Sequence, residues 1–156
     1  MNQDMRAQAP PQANPLQARA GGIDPGVLAR AEAALKSLAG QFSQWLNDEI
    51  AKLESARAEV DAKGIAAAAG EKLYFRAHDL KGLGSTYEYP IITRISASLC
   101  KLLDGEEKRL KAPLYLVDAH INAIKAAVRD NIRDDSNPIG NALAEALETQ
   151  VRDHFA

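Results

Sequence analysis

Apolar side chains recur at helical spacing through most of the chain, separated by short polar or glycine-containing gaps. Asp24 is placed to cap a helix that Pro25 opens, and Val27, Leu28, Ala31, Leu35 and Leu38 form its stripe until Gly40. A second helix is predicted over 41–63, with Phe42, Leu46, Leu53 and Val60 on one face, Trp45 and Ile50 flanking it, and Gly64 at its end. The third, over 67–88, carries Leu73, Ala77, Leu80, Gly84 and Tyr87 on one face. It must break near Tyr89, because Pro90 disfavours helical geometry in the residue before it. Pro90 starts a fourth helix with Ile92, Ile95, Leu99 and Leu102, ending at Gly105. Pro113 opens a fifth with Leu114, Val117, Ile121, Ile124 and Val128, and Asn137 with Pro138 opens a sixth with Ile139, Leu143, Leu147 and Val151. Short connections make sequential helices antiparallel neighbours. The pattern therefore predicts an all-α fold: an up-and-down antiparallel four-helix bundle, its core in the helices between 41 and 134, with additional N- and C-terminal helices.

Residues 1–22 interrupt this pattern. They hold Pro10, Pro11 and Pro15 among Gln, Ala and Asn, with only Met1, Met5 and Leu16 as large aliphatic side chains. So little apolar surface does not cover the entropy of ordering, so a disordered tail is expected over 1–22 and a single helical domain over 23–156. Composition agrees with helix: Val occurs five times and Thr three, against abundant Ala, Leu, Glu and Lys. No phosphate-binding glycine loop of the P-loop or dinucleotide type is present, so an ATP-using enzyme is not expected. The net charge of −2 offers no basic excess for nucleic acid or an anionic membrane. One cysteine and three scattered histidines suggest neither a disulfide nor a metal site, and no apolar run is long enough to span a bilayer. A cytoplasmic monomer without nucleic-acid or membrane partners is the expectation.

The segment that breaks helix rules is AHDLKGLGST, residues 77–86, with Gly82 and Gly84 inside a helical pattern at a cost of about 1 kcal/mol each relative to Ala. One reading makes Gly82 a C-terminal cap followed by a loop. Against it, Gly84 and Tyr87 continue the apolar face of Leu73, Ala77 and Leu80 without a phase break. On a continuous helix centred on Leu73, His78 lies about 140° from the core direction, Ser85 about 120°, Gly82 about 180° and Lys81 about 80°. These four positions then share an outward patch. Imidazole is a nucleophile available in neutral form near neutral pH, Lys81 one turn on supplies a cation, and Gly82 removes the side chain that would shield the histidine. A plain solvated face with no chemistry is the alternative.

At these residues the chain resembles the histidine phosphotransfer (HPt) domains of bacterial two-component phosphorelays, which carry His-x-x-Lys-Gly on a helix of a four-helix bundle. The match is Ala77, His78, Leu80, Lys81, Gly82 and Ser85, with Leu99, Cys100, Leu103 and Asp104 similar to the run on that family's following helix. Departures are Leu83, Gly84 and the acidic Asp79. The resemblance implies that His78 accepts a phosphoryl group on Nε2, that Lys81 neutralises it, that Gly82 gives access, and that Ser85 bonds the phosphate or orients the ring. It also implies a phosphocarrier that holds no cofactor. Its partners would be response-regulator receiver domains, which supply the aspartate and Mg2+, and a hybrid histidine kinase. His-Asp-Leu-Lys also fits the first four positions of the box on kinase dimerisation helices, so a dimeric phosphotransferase of that type is a second reading. A non-catalytic helical adaptor is a third. A partner surface is expected around Trp45, Glu49 and Ile50 on the preceding helix and Glu71, Tyr74, Phe75 and Asp79 on the histidine helix. Elsewhere, His120 is placed on a flank of the fifth helix, His154 near the terminus, and Cys100 as a small buried hydrophobe.

Overall fold

In the computed structural model, which describes residues 22–156, capping residues act as their sequence positions imply. The tail expected over 1–22 lies outside the described residues except for Gly22. The first helix, α1 (Pro25–Lys63), starts where Asp24 Oδ2 accepts the Val27 amide at 3.1 Å and stops at Gly64, whose φ of 87° an L-residue adopts only under strain. After α2 (Ala67–Thr86), Pro90 at the first helical position opens α3 (Pro90–Leu103). Gly105, at φ 90°, turns the chain into the short α4 (Glu106–Lys111), and Pro113 precedes α5 (Leu114–Arg129). The last helix, α6 (Pro138–Phe155), is capped by Asn137, whose Oδ1 accepts the Ile139 amide at 2.9 Å. No strand occurs among the described residues.

Three differences from the sequence reading have physical causes. Gly40 does not end a helix: α1 runs through it, and Gly40 is absent from the glycines with positive φ, so it has no left-handed cap geometry. The six residues of α4 were not anticipated, because EEKRLK has a single apolar side chain, Leu110, and that is exposed. The helix expected over 67–88, α2, ends at Thr86, because Tyr87 and Glu88 form a turn in which Glu88 has a φ of 67°, outside helical geometry.

Contacts divide the chain into Met1–Ala39 and Gly40–Ala156. In the first unit Val27, Leu28, Leu35 and Leu38 are all exposed. In the second, α3 is the central element, packing on α2, α4, α5 and α6. Its buried apolar residues Ile91, Ile92, Ile95, Leu99, Leu102 and Leu103 share one broad face, and the buried Ser96, Ser98 and Cys100 widen it to either side. Leu46, Ile50, Leu53, Ala56 and Val60 form the buried stripe of α1. Ion pairs tie that segment sideways, Arg57 Nε to Asp118 on α5 at 2.7 Å and Lys72 on α2 to Glu59 at 2.7 Å. Arg94 on α3 forks onto Glu148 on α6, at 2.9 and 2.7 Å.

Candidate functional site

The helix that carries His78 is continuous through both glycines, and the two glycines are there for different reasons. A Cβ on Gly84 would lie 2.6 Å from the Thr93 amide nitrogen and 2.7 Å from its hydroxyl, so Gly84 is where α2 and α3 come closest. A Cβ on Gly82 would meet nothing within 4 Å. Gly82 is helical and exposed, neither a left-handed cap nor a packing contact. The cap-and-loop alternative therefore fails, and among the described residues no close approach requires the missing side chain of Gly82.

Four residues upstream of Gly82, His78 is exposed, and no described group hydrogen-bonds its ring. Its aromatic neighbour is Tyr74, with ring centroids 6.0 Å apart. His78, Asp79, Gly82 and Leu83 line an open depression of about 410 Å³. Asp79 is exposed and turned to Arg76, at 3.7 Å, rather than to Lys81. Lys81 is half-buried and, among the described residues, in no ion pair, so its charge is available to an incoming anion. Ser85 is exposed, but seven residues on it sits about 10 Å along the axis from His78. Its hydroxyl donates to Thr93 Oγ1 at 3.0 Å and its amide to the same oxygen at 2.8 Å. Ser85 thus braces α2 on α3 and is not brought to the imidazole.

The surface around this patch is partly as expected. Phe75 is 54% exposed and Trp45 41% exposed, and Glu71 is exposed, while Glu49 is half-buried and pairs with Lys52 at 2.8 Å. Tyr74 is half-buried at the edge of the core, stacked edge-on to Phe75. Burial, with the nearby Asp104 carboxylate, raises the Tyr74 phenol above its ordinary pKa. Ile50 is a correction: it is 3% exposed and belongs to the α1 stripe, so it offers nothing to a partner. What the sequence reading did not assemble is a triad of rings at the far end of the histidine helix. Phe42, Trp45 and Tyr87 lie 5.4–5.8 Å apart centroid to centroid, with Phe42 and Tyr87 half-buried beneath Trp45.

Two further candidate residues, His120 and Cys100, are sequestered, while His154 is half-buried beside Phe155 at the end of α6. His120 is fully buried, not on a flank. Its Nδ1 lies 2.7 Å from the Leu116 carbonyl, which only accepts, so Nδ1 carries the proton and Nε2 accepts the Ser98 hydroxyl at 2.9 Å. Cys100 is 6% exposed, and burial pushes its thiol up to about 11. Among the described residues no group of three His, Cys, Asp or Glu side chains is placed to hold a metal ion. None of their helices is long and apolar enough to cross a membrane. Comparison of the chain with protein-family models, curated proteins and solved structures finds no match.

Proposed function

We propose that this chain is a histidine phosphotransfer protein, moving a phosphoryl group between His78 and the aspartate of receiver domains in a two-component phosphorelay. The observation that carries this reading is Gly82. A glycine in mid-helix, with open space where its side chain would be, has no use to the fold; directly beside an exposed histidine it lets a second protein surface approach the imidazole.

In the transfer, the Nε2 lone pair of neutral His78 forms the N–P bond while the P–O bond of the aspartyl phosphate breaks and the aspartate leaves as carboxylate. The Nδ1 proton stays on the ring. Lys81 meets charge on the phosphoryl oxygens, and positioning with charge neutralisation makes up most of the catalysis. The Mg2+ and the aspartate belong to the receiver. The chain contributes a nucleophile, a cation and a clear approach, and the reverse transfer uses the same parts. The finer architecture belongs to the same proposal: an up-and-down antiparallel four-helix bundle with α2 and α3 as consecutive members and further helices at both ends.

The test is incubation with a panel of phosphorylated receiver domains from the same genome. Label is expected to move onto this chain as an acid-labile, base-stable adduct. Failure of every receiver to transfer, with the protein folded, contradicts the proposal.

A further inference from the structure

A second site stands out where α3, α4 and α6 meet, and it owes nothing to His78. A cleft of about 610 Å³ opens there, within the range of pockets that hold small ligands. Its apolar lining residues are Ala97, Val151 and Phe155. Its lining also carries Lys101 from α3, Lys108 from α4 and Arg152 from α6, three cations from three different helices. Among the described residues none of the three is in an ion pair, whereas most other cations of residues 40–156 are paired. The one side-chain carboxylate in the lining, Glu148, is already held by the fork of Arg94. Lys108 Nζ sits 5.1 Å from the centroid of the Phe155 ring, so in this structure the cation rests on an aromatic face in place of an anionic partner.

Like charges converging from three helices repel one another, and Glu148, which Arg94 forks and which also feels the charges of Lys101 and Arg152, is a single side-chain carboxylate against four lining cations. We infer that this cleft binds a small amphipathic anion, an aryl or alkyl phosphate or carboxylate. Its charged end meets Lys101, Lys108 and Arg152, and its apolar body lies on Ala97, Val151 and Phe155. The two halves of the site ask for both properties in one molecule.

Phenyl phosphate is the probe, titrated into the full chain and followed by amide chemical shifts, with inorganic phosphate and benzyl alcohol as the separate halves. Saturable shifts confined to residues 94–101, 106–111 and 148–156 are expected, with affinity at least tenfold above either half. Lys101→Ala with Arg152→Ala should weaken phenyl phosphate tenfold or more. Ala97→Leu, which narrows the cleft and keeps every charge, should do the same, while Lys125→Ala on the exposed face of α5 changes nothing. Equal binding of inorganic phosphate and phenyl phosphate, unchanged affinity in the double variant, or shifts confined to the surroundings of His78 would each overturn the inference.

Discussion

At the scale of single residues, α2 sets two glycines two positions apart in opposite energetic situations. Gly82→Ala is expected to raise stability by up to about 1 kcal/mol, because the backbone is already helical and the new methyl meets nothing. Gly84→Ala drives a methyl into the Thr93 backbone and should cost roughly 1–3 kcal/mol. Chemical denaturation of the two variants checks this, and a common sign for both would show that α2 is not a continuous helix packed on α3. Phe75, with more than half its surface exposed, should behave as a docking residue: Phe75→Ala leaves the melting temperature nearly unchanged and slows transfer from a receiver about tenfold, or about 1.4 kcal/mol. A steep fall in melting temperature with normal transfer would make Phe75 a packing residue. The outward placement of His78, Gly82 and Phe75 was legible from helical phase alone, since angle on a helix follows from residue number. The same phase places Ile50, four residues after Leu46 and three before Leu53, in the buried stripe rather than on the flank with Trp45. The buried stripe includes Ala56, whose small side chain carries no periodic signal until a neighbouring helix covers it.

At the scale of elements, α5 is joined to α3 by a buried polar link that its sequence did not announce. A histidine at a helical position reads as surface or flank, and only the partner helix, by presenting Ser98, turns His120 into an interior group. Its burial has a pH consequence. Desolvation, only partly offset by the hydrogen bond to Leu116, lowers the pKa of His120 below its ordinary 6.5. The unfolded chain then binds a proton that the folded chain refuses, so the contribution of His120 is present above the unfolded pKa and is lost as pH falls through the lower folded value. Urea midpoints measured between pH 7 and pH 5 should decline, and His120→Gln should flatten that decline whatever its own cost. A slope unchanged by the substitution would assign the acid sensitivity to other groups. The same scale explains the helix boundaries. Capping by Asp24 and Asn137 is local chemistry and was readable, whereas the passage of α1 through Gly40 and the existence of α4 rest on no periodic apolar signal.

At the scale of the whole molecule, helical class followed from composition and period, but the central position of α3 did not. That helix packs on four others, whereas in the sequence its run of Ile and Leu registers as a strong stripe rather than as a hub. The consequence is a division of labour. The histidine helix lies against one side of the hub with His78 and Gly82 outward, while His120 and Cys100 are enclosed. Among the histidines of the described residues only His78 combines an exposed ring with a nearby lysine in no ion pair and a helical glycine one turn on. The most direct measurement is phosphoryl labelling from a competent receiver, compared between the wild type, His78→Gln and His154→Gln at matched helicity. The account predicts one labelled residue, with label abolished in His78→Gln and retained in His154→Gln; label persisting in a folded His78→Gln protein would contradict it.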